Sequence, residues 1–298
     1  MRKPIVTVGL PAFNASHTIL LAVLSVFAQT ADVWELIIID DGSSDGTSRV
    51  LRFWRQDRRV RIITHAKNEG LVSCLNEIAV LAKGSVIARV DADDVMHPRR
   101  LEEQLGVLRS NSEADVVGTG AYVIDGANRV IGVRGCTTPQ FSAALAVRSG
   151  LLMHPTIMGR SEWFLRNPYD PAFYRAEDHE LWCRTATNTV FAHISKPLHF
   201  YREQLVGYDT KYLQSCRTDR KVIRKYGHAY VGLKGMIALL ALSLAKEFTC
   251  RALAAVGQEE LLVRRRNLPL PAYEYADAQI IVDGIVREAK AYNAKATS

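Results

Sequence analysis

The first 120 residues alternate between two textures, and that alternation constrains the fold more than any single motif. Apolar, β-rich runs at residues 5–10 (IVTVGL), 34–40 (WELIIID), 60–65 (VRIITH) and 85–90 (SVIARV) predict four strands. Residues 16–29, 44–56, 70–84 and 99–111 carry helical spacing between and after them. In the first helix Ile19, Leu20, Val23, Leu24 and Phe27 share a face and Ser16 is placed as its N-cap; Gly84 is read as the stop of the third. Strand–helix alternation of this kind predicts an α/β fold with a mostly parallel sheet and helices on both faces. Ligands of such sheets bind beyond the carboxyl ends of the strands.

The second part of the chain changes character. Residues 114–125 and 129–134 read as strands, 139–150 as a helix, 151–160 as a strand and 176–186 as a helix. From about residue 215 the texture turns helical and basic. The expected organisation is a domain over 1–214, with halves at about 1–120 and 121–214, and a helical basic extension over 215–298.

Three acidic clusters stand out. Asp40 and Asp41 end the second strand in IIIDDGSSDGT, where Asp45 reads as an Asx-type helix cap. Two adjacent carboxylates at a strand end exceed what a cap needs, and a carboxylate accepts hydrogen bonds from a ribose or a base N–H. In VDADD the alternate aspartates Asp91 and Asp93 share a side of an extended backbone. Such oxygens suit Mg²⁺ or Mn²⁺, which take one or two carboxylates and complete their shell with phosphates and water. Asp94 reads instead as an acid ahead of the helix HPRRLEEQL. In AEDHELWCR, Glu177 and Asp178 open a helix whose Leu181 and Trp182 anchor its apolar face, which would fix the carboxylate pointing the other way.

Taken in order, VGLPAFN, IIIDDGSSDGT, KNEGLVSCLNEI, VDADD with HP and RLE after it, and EDHELWCR resemble the family-2 inverting glycosyltransferases of the GT-A fold, over about residues 4–205. The resemblance implies a nucleoside-diphosphate sugar donor, usually a UDP-sugar, with Mn²⁺ or Mg²⁺ as cofactor. It implies that Pro11, Phe13 and Asn14 pack on the base, that Asp41 reads the nucleotide, and that Asn68 and Gly70 lie under the donor. Asp91, Ala92 and Asp93 match the D-x-D turn, with Asp93 as the direct metal ligand, and Asp178 matches the base, with Glu177 beside it. His154, Trp182 and Arg202 are placed as acceptor contacts, although His154, His179 and His199 taken alone read first as satisfied core or loop histidines. The chemistry implied is transfer of one hexosyl unit with inversion to a hydroxyl of a saccharide or lipid-linked acceptor, as in cell-surface polysaccharide or glycolipid synthesis. Processive relatives carry Q-x-x-R-W and several membrane spans; neither is found here.

Rival classes lack their marks. A nucleotidyltransferase would show a G-x-G-T-R-type loop in the first strand turn, and a Rossmann dehydrogenase G-x-G-x-x-G. A non-catalytic sugar-nucleotide binding module needs no base. The net charge of +7 leaves nucleic acid, anionic membrane and phosphorylated ligands open. Nucleic acid is disfavoured because the basic stripe Arg217, Arg220, Lys221, Arg224 and Lys225 lies away from the motifs and has little aromatic interleaving. That stripe, the apolar run GMIALLALSLA (235–245) and the RRR at 264–266 read either as a solvated and a buried helix or as a membrane-surface patch. The apolar run is too short for a span of roughly 18 residues. Ile281, Val282, Ile285 and Ala289 form the apolar face of a last helix that closes the core or pairs subunits. Five scattered cysteines and a start broken by prolines argue against a disulfide framework and a signal peptide. The expected location is the cytoplasm, peripheral at the inner face of the cell membrane.

Overall fold

The computed structural model describes residues 4–203, 208–258 and 267–297. Its first half is the alternation read above: β1 (Val6–Ala12), α1 (Ile19–Phe27), β2 (Trp34–Asp40), α2 (Thr47–Leu51), β3 (Val60–Thr64), α3 (Leu71–Leu81), β4 (Val86–Arg89) and α4 (Arg100–Ser110), with the two-residue β5 (Val95–Met96) before α4. β6 (Val116–Ile124), β7 (Val130–Arg134), α5 (Ala143–Ser149), β8 (Met158–Arg160), α6 (Ser161–Arg166), α7 (Glu177–Thr185) and β9 (Phe191–Arg202) follow. Two helices, α8 (Tyr208–Ala255) and α9 (Ala272–Thr297), end the chain.

One sheet holds all nine strands in the order β3-β2-β1-β4-β8-β6-β9-β5, with β7 paired to β6. β3, β2, β1 and β4 are parallel; beyond β4 the sheet is mixed, since β8 runs against β4 and β6 while β6 and β9 are parallel. Every residue of β1 and β2 is buried, as expected of strands covered on both faces. On one face Val8, Leu36 and Ile38 meet α1, α4 and the Val282–Ile285 face of α9. On the other, Ile37, Ile39 and Ile87 meet α3, Trp163, Leu181, Trp182 and Val222 of α8. The last helix therefore closes the core.

Several expectations change. α1 starts at Ile19 after Thr18, and the Ser16 amide instead donates to Asp45 Oδ2 at 2.9 Å. The second helix stops at Leu51, continuing as one 3-10 turn to Trp54. α3 ends at Leu81, not Gly84; a Cβ at Gly84 would lie 2.5 Å from the Thr7 amide, so this glycine serves a close approach to β1. Residues 151–160 are not one strand, because Pro155 falls in a 3-10 turn (His154–Thr156) before β8. α6 and β9 had no reading; β9 alternates poorly because its middle is part exposed and contains Pro197.

The extension begins at Tyr208, ahead of residue 215, and α8 bends sharply at Gly232, whose φ of 70° takes it out of the helical region. The arms fold back on each other: Arg220 reaches Glu247 Oε2 at 2.7 Å and Ser243 Oγ at 3.3 Å. The basic stripe divides. Arg220 turns to the second arm and Lys225 binds buried Glu180 at 3.1 Å, while Arg217, Lys221 and Arg224 face solvent. The second arm is not the buried helix that one reading expected: Leu233, Ile237, Leu244 and Phe248 are 56, 56, 56 and 74% exposed. By length and composition α8 passes as a helix able to cross a bilayer. Its longest uncharged stretch, residues 235–245, is only about 16 Å of helix, half of the roughly 30 Å hydrocarbon core. The arginines at 264–266 lie outside the described residues.

Candidate active site

The carboxyl ends of β1, β2, β3 and β4 meet at one edge, and the loops beyond them are tied together by side chains. Asn14, at φ 49°, accepts from the Ser44 amide, and its own amide donates to Ser43 Oγ, both at 2.9 Å, so the loop after β1 is pinned to the loop after β2. Pro11 is buried in β1, while Phe13 is half exposed beyond it. Asp41 is buried and accepts from the amides of Glu69 (2.9 Å) and Gly70 (2.8 Å) and from His65 Nδ1 (2.7 Å). Burial pushes its carboxyl up, but those three donors outweigh it and hold it below the ordinary carboxylate range. Asp41 thus shapes the loop that carries exposed Asn68. Gly42, at φ +70°, is required there: a Cβ would come within 2.6 Å of the Lys67 carbonyl carbon. Its neighbour Asp40 is buried with Oδ2 unpartnered, an acceptor oriented by β2 that the protein leaves unused.

Beyond β4 the three aspartates take different partners. Arg89 holds Asp91 through two bonds, Nε–Oδ1 at 2.8 Å and Nη2–Oδ2 at 3.2 Å. Asp94 is not a helix-start acid. It is buried, accepting from His199 Nε2 and the Arg202 amide at 2.8 Å each, which fastens the turn to β9. Asp93 lines the large cavity described below, and Ala92 between the two aspartates is buried in the core. Burial, with Asp94 and Asp91 adding like charge, pushes Asp93 up to about 7. One oxygen from each aspartate lies within 4.8 Å of the others. A hard divalent cation fits this set of oxygens: Arg89 is engaged by Asp91 and the Arg202 guanidinium by backbone carbonyls and Asn128, so an ion would add positive charge at Asp93.

Asp93 and Asp178 line one cavity of about 810 Å³, which extends to the folded-back arms of α8. Of the adjacent acids that open α7, Asp178 is at the cavity wall, whereas Glu177 lies inside, 4.0 Å from His154 Nδ1. Burial, then Asp178, pushes Glu177 up to about 7; burial also raises Asp178. Fully buried Leu181 and Trp182 anchor the helix as read, with Trp182 stacked on Trp163 at 6.5 Å. Behind Asp178, His179 binds Asp219 of α8 at 2.9 Å; burial opposes its charge, but Asp219 and Cys183 raise it to about 10.

The three proposed acceptor contacts fare differently. His154 is buried with its Nε2 on Tyr169 Oη at 2.8 Å, and Trp182 is wholly within the core, so neither is at the wall. Arg202 does line the cavity, but its guanidinium grips the Asp93 and Asp125 carbonyls and Asn128 at 2.7–2.9 Å. It is a clasp for the aspartate turn. His179 and His199 are partnered, as read.

Arg89 escaped notice in the sequence, although a lone cation inside the apolar strand SVIARV is the signal that finds it. It is buried beside Asp91, with Nη1 unpartnered, and its charge is felt by Glu177, Asp178 and His154. One guanidinium thus sits between the two acidic clusters. Arg89→Met is expected to destabilise the fold by roughly 3–5 kcal/mol, since it leaves buried carboxylates uncompensated. A denaturant midpoint shift worth under about 1 kcal/mol would show that solvent screens them.

Solved structures share this architecture. PcManGT, a mannosyltransferase from Pyrobaculum calidifontis solved with GDP-Man and Mn²⁺, superposes with TM-score 0.58 over 97% of this chain and 88% of its own, at 17% identity. S. aureus TarS 1–349 with UDP-GlcNAc gives 0.59 over 82% and 72%, also at 17%. In sequence, EpsE of Bacillus subtilis (strain 168) is 30% identical over 76% of this chain and 78% of its own. The Escherichia coli UDP-Glc:α-D-GlcNAc-diphosphoundecaprenol β-1,3-glucosyltransferase WfgD is 31% identical over 60% and 68%. Residues 7–193, from the first strand through the acid pair to the start of β9, match glycosyl transferase family 2, and the chain belongs to that family of glycosyltransferases.

Proposed function

We propose that the protein transfers one hexosyl unit with inversion from a nucleoside-diphosphate sugar, a UDP-sugar, to a hydroxyl of a saccharide or lipid-linked acceptor in cell-surface polysaccharide or glycolipid synthesis. The observation that carries this reading is that Asp93 and Asp178 face one cavity while Asp94 and Glu177, their sequence neighbours, are turned into the protein. The names of WfgD and TarS in complex with UDP-GlcNAc support the UDP-sugar, and PcManGT the cation. Asp93 and Asp91 would hold Mn²⁺ or Mg²⁺, which when bound offsets charge developing on the leaving diphosphate. Asp178, held by α7, takes the proton of the attacking hydroxyl, so the sugar carbon inverts without a covalent enzyme intermediate. Asp41 keeps the Asn68–Gly70 loop under the nucleotide.

The test is a panel of UDP-, GDP- and dTDP-sugars with Mn²⁺ or Mg²⁺, reading released nucleotide; release from none of them contradicts the proposal. Asp41→Ala is expected to weaken nucleotide affinity at least ten-fold by loosening the loop, while the remaining turnover keeps its cation dependence. Normal affinity with a lost cation response would place Asp41 at the metal instead.

The exposed apolar face of the second arm, flanked by exposed Lys221, Arg224, Lys234, Lys246 and Arg251, suits the surface of an anionic membrane, lying in it rather than through it. Flotation with vesicles should rise with anionic lipid and fall with salt, and Phe248→Glu should reduce it. Equal flotation on neutral vesicles would remove the electrostatic part.

A further inference from the structure

The helix that carries Asp178 is tied along its length to the first arm of α8. Glu180, fully buried in α7, accepts from Lys225 Nζ at 3.1 Å and from Tyr226 Oη at 2.6 Å, and Tyr230 Oη donates to the Cys183 carbonyl at 2.9 Å. At the N-terminal end of α7 the tie is His179, the residue after Asp178. Its Nδ1 lies 2.9 Å from Asp219 Oδ1 of α8, and its Nε2 lies 3.3 Å from the Val147 carbonyl of α5. Both partners are acceptors. A neutral imidazole carries one N–H, so a ring that donates from both nitrogens is an imidazolium. Asp219 lies beyond residues 7–193, the part of the chain that matches the family.

Asp178, His179 and Asp219 line the same cavity. The His179 amide donates to Asp178 Oδ1 at 2.8 Å, and the ring's charge favours the ionised form of that carboxyl. Arg89 of β4 acts in the same sense. Burial and Asp219 oppose them, as does the like charge of Glu177, while Tyr169 nearby stays a neutral phenol. The same cavity wall also carries the cations Arg148, Arg175, Lys211 and Lys246, together with Glu203, which pairs with Arg134. A general base works only when empty of its proton, and a part-buried carboxylate keeps that state when a cation stands beside it.

We propose that His179 is a positioning residue for the base: charged through Asp219, it holds Asp178 ionised at the cavity wall, so the helical extension completes the transfer machinery. The proposal rests on the reading of Asp178 as the base and deepens it.

The test follows Asp178 itself by NMR, in chelator, on the full chain with aspartate labelled with carbon-13 at Cγ. The Asp178 signal is the one that Asp178→Asn removes. His179→Gln should raise its titration midpoint by about one pH unit or more, a ten-fold gain in affinity for the proton. Asp219→Asn should raise it by less, because it removes its own opposing charge along with that of His179. His179→Lys, which restores a cation, should return the midpoint toward the native value. Nucleotide release by His179→Gln should be roughly ten-fold slower than native at pH 6.5 and recover by pH 9. An unmoved midpoint in His179→Gln overturns the proposal. So does an equal rise in His179→Lys, which traces the effect to shape, or a deficit in release that is the same at both pH values. If His179→Gln does not fold, Asp219→Asn decides, on a side chain 37% exposed, and an unmoved midpoint there overturns the proposal. Failure of the base reading shows separately, as normal turnover in Asp178→Asn.

Discussion

Asp178→Asn is expected to lower kcat by about 10²- to 10⁴-fold and leave UDP affinity within about two-fold. The amide keeps the shape of the side chain at the cavity wall and removes its basicity. The interaction lost is one that strengthens only as the hydroxyl gives up its proton, so the effect falls on turnover rather than on binding. Glu177→Gln is expected to cost far less, because Glu177 lies against His154 inside the protein. A normal kcat in Asp178→Asn with a dead Glu177→Gln moves the base one residue back. Since burial raises Asp178, activity of the native enzyme should rise with pH as this carboxyl empties of its proton.

The second large effect is on stability. Burial pushes Asp93 and Glu177 from ordinary values near 4 up to about 7. Between those two limits the folded chain holds protons that the unfolded chain has released, so stability falls as pH rises through that window. In chelator the melting temperature should therefore drop from pH 5 to pH 7.5. Mn²⁺ needs Asp93 ionised, so its stabilising effect should be small at pH 5.5 and grow toward pH 8. Asp93→Asn should flatten the slope in chelator and abolish the gain from Mn²⁺. A Mn²⁺ gain that persists in Asp93→Asn would assign the cation to other ligands.

What was legible in the sequence follows from what each feature depends on. The first four strands and their helices were readable because their burial is local and repetitive: Leu36–Ile39 and Val86–Ala88 are apolar on both faces, and α3 carries its own stripe. The acid turns were readable because a carboxylate at a strand end has little structural reason to be there. Asp94 read as an acid ahead of a helix because its partners, His199 and the Arg202 amide, lie more than 100 residues on. Trp182 looked like an acceptor contact because aromatic residues suit both cores and sugar faces, and only three-dimensional packing separates the two. β9 was missed because it is half exposed, broken by Pro197, and defined by pairing with β6 rather than by its own pattern. The bend of α8 turns on Gly232, and nothing local distinguishes it from the helical Gly227 and Gly235 on either side.

The clamp on Asp94 also bears on how the enzyme is made. A ribosome releases residues 91–94 long before residues 199–202, and a carboxylate without partners resists burial. The aspartate turn is therefore expected to close only once β9 pairs with β6, a long-range contact. A chain released before β9 would have its parallel strands and loops yet no finished turn at the end of β4. The cation end of the site is thus expected only of a chain that carries β9.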